Sequence, residues 1–182
     1  MLRSEVEFIS VHDRATLDAA NASEGAAILI VDTIEVTTDL TISADKKVAV
    51  SPSGSFAITT GKLTFHATPV GWGSGQWVFH GNSTSNGYST LGTGLTLPRG
   101  RNSATPGDVE GTFGSVPRRP EWFGAVKGLS TFDNTDAIAS AFKASVWTAF
   151  AQAGYDDTQK NTYTHVVFGT GIYYHARTID IL

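Results

Sequence analysis

Cysteine is absent from the chain, which excludes a disulfide scaffold, thiolate metal ligands and a cysteine nucleophile. Charge is scarce too: 16% of residues are Asp, Glu, Lys or Arg, against about 25% in an average soluble domain. No apolar run is longer than Ala26–Val31, far short of the roughly 18 residues that a membrane span needs. The N-terminus, Met-Leu-Arg-Ser-Glu-Val-Glu-Phe, lacks the basic region and apolar stretch of a secretory signal. A formal net charge of −4 and a pI near 5.6 give no electrostatic reason for attraction to nucleic acid or an anionic membrane. No nucleic-acid partner and no membrane insertion are therefore expected, and no common catalytic signature is present.

What the chain has instead is glycine, 19 of 182 residues, above the usual share of about 7%. Serine and threonine stand where lysine and glutamate would be more common. This composition suits turns and strands with small polar outer faces and suits a helical bundle poorly.

Read in order, Ala15–Ala22 forms a short helix of good formers, with Asp13 as its N-cap and Gly25 closing it. The β-branched run Ala26–Val31 follows and reads as a buried strand. From there to about residue 68, short apolar-polar alternations are punctuated by small residues, and they repeat. The stretch 33–44, Thr-Ile-Glu-Val-Thr-Thr-Asp-Leu-Thr-Ile-Ser-Ala, matches 55–67, Ser-Phe-Ala-Ile-Thr-Thr-Gly-Lys-Leu-Thr-Phe-His-Ala, with one residue inserted. The offset is 22 residues at the start (33 to 55) and 23 at the end (40 to 63). A repeat of that length, built of short strands, fits one coil of a β-solenoid. Inward side chains would then stack about 4.8 Å apart on those of the next coil. The expected stacks are Ile34 over Phe56, Val36 over Ile58, Leu40 over Leu63 and Ile42 over Phe65. Two similar hairpins in a β-sandwich would give the same pattern.

Beyond Ala67 the regularity stops. Residues 81–119 are rich in Gly, Ser, Thr, Asn and Pro, too long for an ordinary structureless loop, so an extended arm or a linker is expected there. Next comes Pro120-Glu-Trp-Phe-Gly-Ala125, then a helix start at Asp133-Asn-Thr-Asp136 with Asp133 or Thr135 as cap. Ile138, Phe142, Val146 and Phe150 fall at steps of four with Trp147 beside them, one apolar stripe on a helix of about five turns that Gly154 closes. Three short strands are expected at 165–168, 172–174 and 178–181, and they read as the beginning of a second strand series.

This second block resembles the start of the pectate-lyase-like, right-handed parallel β-helix proteins, the group that includes many bacteriophage tailspikes and polysaccharide-degrading enzymes. The matching pieces are Pro120–Ala125, Asn134-Thr-Asp-Ala-Ile138 and Val167-Phe-Gly-Thr-Gly-Ile-Tyr173, in the family's order. Gly169 stands where the family usually has proline. The resemblance implies a mainly β fold: short parallel β-solenoid coils of the right-handed β-helix type, one long capping helix and a long irregular arm. Residues 1–80 would hold the N-terminal cap helix and coils, 81–119 the arm or linker, and 120–182 the capping helix and first coil of a helix that continues.

Catalytic carboxylates of that family lie downstream of the capping helix, so no residue here inherits a catalytic role, and no metal or cofactor site is expected. Asp133 and Asp136 are explained as helix-start residues. The histidines at 12, 66, 80, 165 and 175 have no metal-ligand spacing. Possible carbohydrate or subunit contacts are Trp72, Trp77, Arg99, Arg101, Glu121 and Trp122, with burial in the cap as the competing account of both tryptophans at 72 and 77. Arg99, Arg101, Arg118 and Arg119 make the arm locally basic, as a solvated loop face or as a lure for an acidic polysaccharide. The resemblance therefore implies the N-terminal portion of a homotrimeric virion tailspike. Its partners would be other tail or baseplate proteins and, through later coils, a bacterial surface polysaccharide. The alternatives are a fragment of a secreted polysaccharide lyase or glycoside hydrolase, or a stand-alone carbohydrate-binding module.

Overall fold

A computed structural model of the chain describes residues 7–73, 75–81, 88–90, 96–98, 108–130, 132–150, 166–175 and 179, with the backbone alone at 88–90, 96–98 and 145–150. The first elements are β1 (Phe8–Val11) and α1 (Arg14–Ala22). Asp13 and Thr16 start the helix reciprocally: the Thr16 N–H donates to Asp13 Oδ1 at 2.8 Å, and the Asp13 N–H donates to Thr16 Oγ1 at 3.2 Å. Leu17 and Ala20 form its buried face.

Eight strands follow without another helix: β2 (Ala27–Ile30), β3 (Thr33–Val36), β4 (Leu40–Ile42), β5 (Lys47–Val50), β6 (Ser55–Ile58), β7 (Leu63–Phe65), β8 (Thr68–Pro69) and β9 (Phe79–Gly81). An antiparallel pair, β10 (Tyr88–Thr90) and β11 (Thr96–Pro98), precedes β12 (Val109–Glu110). The last long element is α2 (Thr135–Phe150).

Apart from β10 and β11, the strands form three sheets, ordered β1-β2-β5-β8, β3-β6-β9 and β4-β7-β12. Every pairing within them is parallel. The chain visits the sheets in the same order three times: β2-β3-β4, β5-β6-β7, then β8-β9-β12. Ile34 pairs with Phe56, Val36 with Ile58, Leu40 with Leu63 and Ile42 with Phe65, which are the four expected stacks. Parallel register removes the hairpin alternative, since a hairpin pairs its strands antiparallel. Ile34, Val36, Leu40 and Ile42 are buried while Thr33, Glu35 and Thr41 between them are exposed, the alternation that a sheet with one wet face requires.

Helix α1 closes the β4 edge of the third sheet. Its Asn21 side chain donates to the Thr41 carbonyl at 2.8 Å and accepts from the Ser43 N–H at 3.0 Å. One amide thus occupies a donor and an acceptor that a neighbouring strand would otherwise take.

At the other end, aromatic rings fill the interior. Phe65 lies 5.1–6.3 Å, centroid to centroid, from Phe56, Trp72, Phe79 and Phe113, and Phe123 lies 5.0 Å from Phe79. The expected arm is built at its end. Val109, Phe113 and Arg118 are fully or almost fully buried, and Phe113, Gly114 and Ser115 form a left-handed turn with φ of 51°, 54° and 66°. Two non-glycine residues there cost backbone strain; burial of the Phe113 ring in the aromatic cluster holds them. Gly111 (φ 132°) has no substitute, since a Cβ would sit 2.1 Å from the Phe65 carbonyl oxygen.

Two expectations need correction. The face of α2 that joins the core carries Ala137, Ala141 and Ala144, not the bulky stripe, because the helix packs closely on β12 and on the turn at Pro120–Phe123. Ile138 is buried outside that cluster, and Phe142 turns to Phe168, 6.2 Å away. The side chains of Val146, Trp147 and Phe150 lie outside the described residues. The second correction concerns 165–174. Among the described residues only Val166 makes a β-bridge, to Arg118, because the rest of 166–175 runs along irregular backbone at 128 and 134. The expected strand at 178–181 and the close at Gly154 lie outside the described residues.

Candidate functional site

The three motif segments of the second block converge on one another. Glu121 is 4% exposed. Its Oε1 accepts from the Tyr173 hydroxyl at 2.6 Å and pairs with Lys127 Nζ at 2.8 Å. Its Oε2 is buried with no hydrogen-bond partner among the described residues. The carboxylate raises the Lys127 pKa, and burial followed by the same carboxylate raises that of Tyr173. Asn134 makes the second link. It accepts from the Val126 N–H at 2.7 Å and donates to the carbonyls of Val126 and Tyr174, both at 3.0 Å. Beneath both, the Arg118 guanidinium lies 4.5 Å from the Phe113 ring centre and donates to the Gly111 carbonyl at 2.5 Å. Burial pulls its pKa down to about 9, so it stays charged at neutral pH. Arg118 is thus an interior residue, where a solvated loop face had been one expectation.

Gly169 has a local reason to lack a side chain. A Cβ there would lie 2.2 Å from Lys127 Nζ and 3.0 Å from Glu121 Oε1. The missing side chain is the space through which the lysine reaches the carboxylate.

A separate cleft of about 660 Å³ opens where the β5–β6 corner, 52–55, faces residues 71, 73 and 75–77. Gln76 ties loop to corner, its Nε2 donating to the Val50 carbonyl at 2.7 Å. Trp77 and His80 wall the cleft as a stacked pair, centroids 3.8 Å apart and planes 28° apart. The Trp77 Nε1–H donates to the Phe79 carbonyl at 2.8 Å, which fixes the ring against its own strand.

The residues singled out in the sequence therefore separate. Trp77 lines the cleft; Trp72 is core, donating to the Val48 carbonyl at 2.9 Å and packed on Trp122 at 5.0 Å. Trp122 is buried and donates to the Gly73 carbonyl at 3.1 Å. Glu121, with Lys127, Tyr173 and Asn134, forms the lock that joins the three segments, and Arg99 and Arg101 lie outside the described residues. Asp133 Oδ1 accepts from the Thr135 N–H at 3.0 Å and from its hydroxyl, bracing the turn into α2. The cap position falls to Asn134, whose carbonyl accepts the first helical bond from the Ile138 N–H at 3.0 Å, rather than to Asp133 or Thr135; Asp136 occupies the first turn of α2. His12 pairs with Asp32 at 2.7 Å on the surface. His66 accepts from the Thr112 N–H at 3.4 Å, and burial lowers its pKa. Among the described residues no group of three or more His, Cys, Asp or Glu could hold a metal ion.

Lys127, Asn134 and Tyr173 were missed as a set. The only available signal was their position in or beside the motifs, since 52 residues separate Glu121 from Tyr173. Chemically the lock holds backbone segments together, and the cleft offers an aromatic wall with uncharged polar groups. Comparison with protein-family profiles, curated proteins and solved structures gives no match.

Proposed function

We propose that the chain is a short parallel β-solenoid that serves as the N-terminal structural segment of a trimeric attachment protein of the phage tailspike type, acting in the virion. The observation that carries this reading is the threefold circuit through three parallel sheets in fixed register, joined to a block whose three motif segments meet at Glu121 and Asn134. In this reading α1 caps the first coil and α2, seated on β12, begins the part that carries a polysaccharide-recognising β-helix. Self-association draws support from Leu129, Phe168, Ile172 and Tyr174, apolar or aromatic side chains that are exposed between residues 129 and 174; a surface of this kind gains by being covered.

The test is native mass spectrometry with light scattering on the natural product. A trimer is expected, and a monomer of 19.3 kDa overturns the reading.

A further inference from the structure

We infer that the cleft beside Trp77 is a binding site for a neutral saccharide of one or two rings. The inference stands apart from the spike reading, because it concerns residues 33–80 and needs neither a trimer nor later coils.

Four features of the cleft select the ligand. None of the residues lining it is Asp, Glu, Lys or Arg, so an ionised ligand would lose hydration there and gain no counter-charge. Thr33, Ser53, Ser55 and Gln76 are polar residues of its lining; a purely apolar ligand would strip water from them and give no hydrogen bond back. The stacked Trp77–His80 pair supplies one flat aromatic wall. A sugar ring matches that combination, with C–H groups on its face and hydroxyls around its edge, and small-ligand sites commonly join an aromatic surface to a few placed polar groups. Finally, about 660 Å³ falls within the range of roughly 300–1,000 Å³ typical of small-ligand sites, which suits one or two sugar rings.

The cleft is also held in shape before any ligand arrives. Gln76 spans loop and corner, the Thr33 and Ser55 hydroxyls bond each other at 2.9 Å, and the Ser51 and Ser53 hydroxyls both donate to the Val31 carbonyl at 2.9 Å. Little ordering is left for the ligand to impose, which favours affinity.

The experiment is ¹H–¹⁵N NMR on the full chain, titrated separately with maltose, lactose, cellobiose and digalacturonate. At least one neutral disaccharide is expected to bind with a Kd of about 1–10 mM, shifting amides at 53–55 and 71–80. Two variants locate the site: Trp77→Ala should weaken binding about tenfold or more. Gly73→Phe should fold, because no atom lies within 4 Å of the added Cβ and the backbone bond to Trp122 is kept, and should obstruct binding, because Gly73 lines the cleft. The Gly73→Phe spectrum shows whether the fold is intact, so loss of binding there does not depend on Trp77. The inference is overturned by absence of shifts with all three neutral sugars at about 50 mM, by digalacturonate binding as well or better, by shifts mapping away from the cleft, or by a folded Gly73→Phe that binds normally.

Discussion

Between residues 33 and 65 the buried apolar strand residues rest on similar ones a single repeat away, Ile34 on Phe56 and Leu40 on Leu63. Between 111 and 175 the chain holds itself by singular contacts: one carboxylate, one amide and one guanidinium, each placed where nothing repeats. The first arrangement spreads stabilisation over many equivalent apolar contacts, so losing one leaves its neighbours in place. The second concentrates it in a few buried polar groups, and a buried polar group deprived of its partner costs more than its bond contributes. The difference predicts graded damage in one region and local release in the other.

The largest effect is expected where the two regions meet. Phe65→Ala removes the ring at the centre of four aromatic contacts and should cost about 3–5 kcal/mol by denaturant unfolding. Loss of only about 1 kcal/mol would mean that the aromatic cluster is not a shared core. Next is Asn134→Ala, which strands the Val126 N–H and carbonyl and leaves the Tyr174 carbonyl only its bond from the residue 134 backbone N–H; it should cost about 2–3 kcal/mol. Asn134→Asp keeps the acceptor for Val126 and removes both donated bonds. It should be no better than alanine, and a near-native Asp variant would show that those donated bonds contribute little.

Smaller again is Gly169→Ala, whose Cβ displaces the Lys127 ammonium from Glu121. About 0.5–1.5 kcal/mol is expected, and the cost should shrink in a Lys127→Ala background, where only the contact with Glu121 Oε1 remains, as a double-mutant cycle would show. At the opposite end, Asn21→Ala should cost about 1 kcal/mol. Its local signature is faster hydrogen exchange at the Ser43 amide, which donates to Asn21 Oδ1; unchanged exchange would remove α1 from its role as an edge cover.

The same contrast decides what could be read from residues alone. The stacks at 33–44 and 55–67 were legible because burial that repeats every 22 or 23 residues leaves a repeat in the sequence. Asp13 was legible because a cap acts on its own next turn. The alanine face of α2 was hidden: helical periodicity marks bulky apolar residues, whereas close packing on β12 selects small ones. Hidden too was the lock, since nothing near Glu121 in sequence announces Tyr173. Trp72 and Trp77 looked alike five residues apart, and only the folded backbone sends one into the core and the other to the cleft.

The smallest expected effect tests the lock by pH. The ordinary values are 10.0 for Tyr173 and 10.5 for Lys127, and both are raised in the folded chain, the first by burial and then Glu121, the second by its bond to Glu121. Above about pH 10 the unfolded chain gives up these protons first, so it binds fewer than the folded chain, and stability falls as pH rises. Both side chains are partly exposed, so solvent screening keeps the slope shallow. Arg118, whose pKa is lowered, acts in the opposite direction, and for that reason the comparison is between wild type and Tyr173→Phe, in which the Arg118 contribution cancels. Wild type should lose stability more steeply than Tyr173→Phe between about pH 10 and 11 while the two run parallel from pH 6 to 9. Parallel curves across the whole range would mean that the Tyr173 hydroxyl does not face Glu121 when the protein is folded in solution.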